Sequence, residues 1–308
     1  MSLSEKTIRW LHRNCEISLR GKTVLITGAN SGIGFKTAEI AVYQGARVIM
    51  ACRNAEKAEK ASAELLQDYP EAEVRFMKLD MASLASIRAF VETLRTQGTD
   101  IDVFVNNAGA FRHPGEKTAD GFDLVLGTNY LGVYALTEAV LPYLSSLGHD
   151  VVLVNTISLV HRYARKPDYS NFWCEKHYGD LKVYAQSKLC VARYTWALAK
   201  RVEGSNVRVF MTHPGIAITP LGLSACGNWA TKLSKPLGGL FNSPEKSALS
   251  LSYLLSHDLP AGSIAGPTKL FGGWGYPRKN RVCKKVRTGA EELIQFTEEA
   301  LREAGKVR

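Results

Sequence analysis

The sequence predicts an α/β protein of one domain, with a mostly parallel, doubly wound sheet and helices on both faces. Three observations predict it. Short β-branched, apolar runs alternate with helix-length segments along the first 210 residues. The runs are mostly apolar, as strands covered on both faces are. Residues able to do chemistry recur just past the ends of the runs, where such sheets bind their ligands. The 308 residues are 45% hydrophobic and 22% charged, which suits one large domain, and no repeat or Pro/Gly/Ser-rich linker divides them.

The first strand is Thr23-Val24-Leu25-Ile26-Thr27, followed by a glycine-rich turn and a helix that runs to about Tyr43 and stops at Gly45. Residues 47–51 form the second strand, and Asn54 opens a charged helix that must end before Pro70. The third strand is 74–79, with a helix near 83–96. The fourth strand is 101–105, then a long helical stretch spans about 119–147. The fifth is 151–154, a helix covers about 182–202, and the sixth is 207–211. A terminal helix is expected near 290–305 through Leu293, Ile294, Phe296 and Leu301. The N-terminal stretch with Ile8, Trp10 and Leu11 is weakly amphipathic, and packing across the sheet edge is favoured over lying on a membrane.

The formal charge is +10, from 39 Lys and Arg against 29 Asp and Glu, which suggests a polyanionic partner. Its distribution argues otherwise. Residues 278–287 carry Arg278, Lys279, Arg281, Lys284, Lys285 and Arg287 with no acid, leaving a modest excess elsewhere. No nucleic acid is expected; the basic segment, read as a tail, leaves peripheral contact with a membrane open. Cys15, Cys52, Cys174, Cys190, Cys226 and Cys283 show no CxxC spacing, so no metal is expected and the thiols read as those of a cytoplasmic protein. No apolar run of the roughly 20 residues that a membrane span needs is evident, nor a signal-peptide core at the start.

The turn after strand one reads Thr27-Gly28-Ala29-Asn30-Ser31-Gly32-Ile33-Gly34. Its glycines let backbone approach a pyrophosphate, and the helix start offers free N–H groups. After strand two an NAD-preferring site would place an acid for the ribose 2′-hydroxyl; here Cys52 and Arg53 stand instead. Arg53 can pair with a 2′-phosphate, so NADP(H) is expected over NAD(H). Asp80, with Met81 beside it, can accept from an adenine amino group. Asn106-Asn107-Ala108-Gly109 brings small residues to the cofactor. Each of these alone would pass as ordinary loop chemistry.

Tyr184 and Lys188 are four apart on a helix and project together. A phenol of pKa ~10 is a poor acid–base at neutral pH, and a nearby cation favours its ionised form. Such a pair can pass a proton to or from a carbonyl oxygen. Ser158, just past strand five, supplies a hydroxyl to hold that oxygen, with Thr156 as the fallback.

Taken together, these motifs resemble the short-chain dehydrogenase/reductase (SDR) family. The TGxxxGxG turn, Asp80, Asn-Asn-Ala-Gly, Asn129, Ser158, Tyr184-xxx-Lys188 and His213-Pro214-Gly215 stand in that family's order over about residues 20–220. The run Ala51-Cys52-Arg53-Asn54 and the 26-residue gap from Ser158 to Tyr184 look most like its retinol dehydrogenase-like branch. The resemblance implies a Rossmann-like fold and an NADP(H)-dependent oxidoreductase. It casts Tyr184 as acid/base and Ser158 as the group orienting the carbonyl. Lys188 would lower the Tyr184 pKa and hold the nicotinamide ribose, while Asn129 would fix a relay water. Pro214, Gly215, Ile216 and Thr219 would line the carboxamide. The chain departs from the branch in Asn155-Thr156-Ile157 before Ser158, and its Ser-to-Tyr gap is about twice the usual one of the wider family.

Two variable segments are read as pocket walls. Residues 159–183 carry His161, Tyr163, Tyr169, Phe172, Trp173, His177 and Tyr178; residues 216–241 carry Leu221, Leu223, Trp229, Leu233, Leu237, Leu240 and Phe241. Such walls suit a bulky apolar aldehyde, ketone or alcohol, retinoid-like or steroid-like; packing onto the core explains the same residues equally well. His161 and His177 read as packing or surface residues. A non-catalytic dinucleotide-binding SDR, acting as sensor or scaffold, is the alternative, and the retained Asn129, Ser158, Tyr184 and Lys188 speak against it. A homo-oligomer is compatible with either reading.

Overall fold

The computed structural model describes residues 2–111, 115–176, 179–217 and 242–303. An eight-stranded sheet in the order β3-β2-β1-β4-β5-β6-β7-β8 forms its centre. The strands are β1 Thr23–Thr27, β2 Arg47–Cys52, β3 Val74–Lys78, β4 Val103–Asn106, β5 Val151–Thr156, β6 Val207–Thr212, β7 Ile264–Lys269 and β8 Trp274–Asn280. All neighbours pair in parallel except β7 and β8, which form an antiparallel hairpin. β1, β4 and β5 are buried at nearly every position, which is why they read as unbroken apolar runs.

Helices cover both faces: α1 Glu5–Asn14, α2 Gly32–Tyr43, α3 Ala55–Asp68, α4 Leu84–Thr96, α5 Leu124–Ser146, α6 Asp180–Arg201, α7 Pro244–Ser256, α8 Lys284–Arg287 and α9 Ala290–Glu303. One apolar core lies under α4, α5 and α6, with Phe104, Leu153, Leu189 and Tyr194 fully buried; a second lies under α2, α3 and α7, around Val24, Ile26 and Met50. Side chains at Asn54 and Ser83 cap α3 and α4 by accepting from backbone N–H groups three residues on. The strand order reverses between β1 and β4, so the ends of these two strands open a crevice.

Three findings refine the expectations. α5 is 23 residues, long and apolar enough to cross a membrane, yet two-thirds of it is buried against the rest of the fold. The N-terminal stretch forms α1, whose Leu11 packs, with Leu3 before the helix and Cys15 after it, on Ile40, Ala248 and Leu249; Ser4 donates to Glu245 through both its N–H and its hydroxyl. The basic segment is not a tail. Arg278 and Lys279 lie in β8, and Lys284–Arg287 form α8, whose Lys285 ammonium donates to the carbonyls of Arg162 and Ala164.

Candidate active site

The crevice at the ends of β1 and β4 holds about 420 Å³ of free volume and is lined from end to end by residues of the turns. Gly28, Asn30, Ser31, Gly32, Ile33 and Gly34 form its floor. Gly34 sits where α2 meets the turn, and a Cβ there would overlap the Gly28 carbonyl oxygen and the Asn107 amide. Gly28 has φ +67°, the left-handed region, with a Cβ position only 3.0 Å from Ala108 Cα. Ser31 precedes α2 without a side-chain capping bond, so the helix begins without that partner for its first N–H groups.

At one end stand Cys52, Arg53 and Asn54. The Cys52 thiol is buried against the backbone N–H groups of Asn30 and Ala29, while Arg53 is exposed and has no carboxylate partner among the described residues. Leu79, Asp80 and Met81 line the adjoining wall. The Asp80 carboxylate also accepts from the Ala82 N–H, 2.9 Å away. Asn107, with Ala108 and Gly109 on the same wall, is a staple: its N–H donates to Thr27 Oγ1 and its amide to the Thr27 carbonyl, each at 2.9 Å.

At the other end the structure gathers the catalytic candidates. Tyr184 and Lys188 lie on α6 and face the cleft. The Ser158 hydroxyl meets the Tyr184 phenol, whereas Thr156, the alternative, turns its hydroxyl toward Thr212. The Lys188 ammonium donates to the Thr156 carbonyl at 3.0 Å and lies 5.9 Å from the centre of the Tyr184 ring. Asn129 sits in a π-helical turn, Gly127–Leu131, within α5, a distortion frequently found at functional sites. Its amide donates to the Ala110 carbonyl and the Ser187 hydroxyl, and its Oδ1 accepts from the Ala110 N–H at 2.6 Å. Asn129 thus straps the β4 loop to α6, using the side-chain atoms that a relay would otherwise engage.

Burial sets the electrostatics. It pushes the Tyr184 phenol up to about 12, against the pull of the Ser158 hydroxyl, and lowers Lys188 to about 8. Desolvation governs Tyr184, with the Ser158 hydroxyl as the opposing influence, and the expected lowering by Lys188 is not among the causes of its shift. A lysine of lowered pKa gives up its proton more readily, while the phenol holds its own. Pro214 lines the cleft, and its carbonyl accepts from Ser247 and Asn242. Ile216 is half-exposed beside Gly273, to whose carbonyl its N–H donates. Thr219, with Leu221, Leu223, Trp229, Leu233, Leu237, Leu240 and Phe241, lies outside the described residues, as do His177 and Tyr178.

A profile described as short chain dehydrogenase matches residues 22–225, the stretch that builds this cleft. The chain belongs to the short-chain dehydrogenase family. Within that family it resembles the human protein named Retinol dehydrogenase 13, 37% identical over 242 residues that span 77% of this chain and 72% of that one. It also resembles mouse Retinol dehydrogenase 14, 40% identical over 214 residues, covering 66% and 64% of the two chains. Among solved structures, that of an uncharacterized protein from Mycobacterium paratuberculosis aligns over 92% of this chain and 95% of its own, with TM-score 0.74 and 31% identity. These likenesses support the retinol dehydrogenase-like branch of the short-chain dehydrogenases, and an oxidoreductase acting between alcohol and carbonyl.

Several site residues of this short-chain dehydrogenase escaped the sequence. Phe111 packs edge-on to Tyr184 with ring centres 4.9 Å apart; its signal was a large apolar residue just past Asn-Asn-Ala-Gly. Buried Asn106 and Asn155 join across β4 and β5, and Asn155 reaches Thr195 of α6. Nothing local distinguishes such asparagines from turn residues. Of the proposed pocket aromatics, Phe172, Trp173 and Tyr169 pack with Phe296 of α9, Phe172 being 1% exposed, while Tyr163 is 73% exposed.

Proposed function

We propose that the protein is an NADP(H)-dependent oxidoreductase of a bulky apolar carbonyl or alcohol, with Tyr184 as its acid/base. The observation that carries this is the Ser158 hydroxyl meeting the Tyr184 phenol at one end of a cleft whose other end presents Arg53 with no acid before it. The residues fit a dinucleotide: the Gly28 and Gly34 cradle leaves no room for a Cβ, and the cleft runs unbroken from Arg53 to Lys188. Gly28–Gly34 would hold the pyrophosphate, Asp80 and Met81 the adenine side, and Arg53 the 2′-phosphate. Asn107, Ala108 and Gly109 would back the ribose, Lys188 would bind it, and Pro214, Gly215 and Ile216 would flank the nicotinamide.

When bound, the nicotinamide supplies or accepts the hydride. The chain supplies position and a proton. Ser158 donates to the substrate oxygen and fixes its distance from Tyr184. In reduction the phenol gives its proton to that oxygen, a transfer worth about 10²–10⁴ in rate. In oxidation the phenolate takes the proton from the alcohol. The half-exposed Ile216, two residues past Pro214 of the cleft, and Phe111, edge-on to Tyr184, support an apolar substrate.

The test is twofold. Fluorescence titrations with NADPH and NADH should give tighter NADPH binding; equal or tighter NADH overturns the cofactor assignment. A panel of aldehydes and ketones should be turned over with NADPH by the wild type. Tyr184→Phe should bind NADPH unchanged yet lose turnover, and an active Tyr184→Phe protein removes this residue from the mechanism.

A further inference from the structure

Ser158 lies beyond the sheet. The last β5–β6 bond is from the Ile157 N–H to the Thr212 carbonyl at 2.8 Å, and Ser158 follows in extended conformation with φ −135° and ψ 152°. A 3-10 turn, Leu159–Arg162, begins immediately after it. The third residue of that turn, His161, is 1% exposed and returns to Ser158 twice. Its backbone N–H donates to the Ser158 carbonyl at 3.1 Å, and its ring Nδ1 lies 2.6 Å from the same oxygen. A carbonyl only accepts, so Nδ1 carries the proton and the neutral ring has its lone pair on Nε2. Burial, Arg162 and Lys285 disfavour a second proton on the ring, and His161 and Arg162 in turn disfavour one on the buried His213.

We propose that His161 is a positioning residue: its Nδ1–H, clamped on the Ser158 carbonyl, fixes the angle at which the Ser158 hydroxyl meets Tyr184. This rests on the reading of Ser158 and Tyr184 given above. The backbone bond alone holds the turn but leaves the Ser158 peptide plane free to tilt about it. The ring adds a second donor from another direction to the same oxygen. The neighbours of the ring support the same geometry. The Arg162 guanidinium spans from the Phe271 carbonyl to Asn280, and its own carbonyl is tied to Lys285, so the turn carrying His161 is braced against β8 and α8. Ser158 is therefore held from the hairpin side of the fold as well as from β5.

The experiment compares wild type, His161→Phe and His161→Asn. Asn places an N–H near the position of Nδ1, whereas Phe keeps the ring and removes the donor. Imidazole ¹⁵N NMR of the wild type reads the bond without turnover: a protonated Nδ1 and bare Nε2 are expected, and a proton on Nε2 overturns the proposal even in an active enzyme. In turnover, His161→Phe should lower kcat by roughly ten-fold with NADPH affinity unchanged, since small misplacements at a reacting centre cost this much or more. Its rising limb in alcohol oxidation should move to higher pH, because Ser158 no longer helps to stabilise the phenolate. His161→Asn should restore both. Wild-type kcat and pH profile in His161→Phe, parallel loss of NADPH binding, or no rescue by Asn would each overturn it. A wild type that turns over no carbonyl at all is instead a failure of the proposed function, with the NMR result still standing.

Discussion

The Lys188 ammonium and the Thr156 carbonyl, 3.0 Å apart, tie helix α6 to the end of β5. The bond anchors a buried cation two residues before Ser158 and four after Tyr184, so one contact fixes the spacing of both sides of the site. Lys188→Met keeps volume but removes the donor and leaves the Thr156 carbonyl without it. We expect a folded protein whose kcat/KM falls by about 10² or more, on the scale of lost charge stabilisation at a reacting centre. Circular dichroism with steady-state kinetics checks it; near-normal turnover would remove Lys188 from the chemistry.

The direction of the pKa shifts predicts opposite pH profiles for the two reactions. Burial raises Tyr184 to about 12, so its proton is present throughout the neutral range and carbonyl reduction needs no rise in pH. Alcohol oxidation needs the phenolate, and its rate should climb steadily from pH 6 to 9. Reduction should decline above pH 8 as Lys188, lowered to about 8, gives up its charge. Initial rates in both directions across this range test the sign; an oxidation rate that falls with pH contradicts it.

The proposed preference for NADP(H) can be tested at two adjacent residues. Arg53→Ala should weaken NADPH binding by ~10-fold or more and NADH binding hardly at all, given the strength of charge-assisted bonds to phosphate. Cys52→Asp should act in the same direction by bringing a carboxylate to the end of β2. Titration of each variant with both nucleotides decides it, and equal losses for NADPH and NADH would place the 2′-phosphate elsewhere.

Phe172 carries a structural prediction. It is 1% exposed and stacked among Tyr169, Trp173, Tyr130 and Phe296, so it anchors the long Ser158–Tyr184 insertion to α9. Phe172→Ala should cost about 3–5 kcal/mol of stability. Urea unfolding measures this, and a loss below 1 kcal/mol would mean that the cluster repacks without it.

How much of this was legible in the sequence depended on whether the signal was local. Strands β1, β4 and β5 were readable because burial on both faces makes each a largely apolar run, and β2, β3 and β6 because β-branched and apolar residues still dominate around an exposed Arg47, Arg75 or Arg208. The glycine turn, Tyr184 and Lys188 were readable because backbone approach and helical spacing are local constraints. β7 was not, since Ile264–Lys269 contains Gly266 and Pro267; β8 was hidden because Arg278 and Lys279 look like a solvated tail. The partners of His161, Asn106 and Asn155 were not readable for a common reason. They are set by tertiary packing, and a buried polar residue looks like an exposed one until its neighbours are known.

β8 is the last strand in the sheet, and its outer side meets no further strand among the described residues. An open strand edge is a template on which another chain can add, the first step toward amyloid-like aggregation. Pro277 cannot donate to such a ladder, and Arg278 and Lys279 beside it are exposed cations that would repel the same strand of a second molecule. Positive charge at this margin would guard it against such pairing, beside the Lys279 N–H that already donates to the Tyr253 hydroxyl of α7. Replacing Pro277, Arg278 and Lys279 with Val, Thr and Val would remove that guard and invite fibrillar self-association.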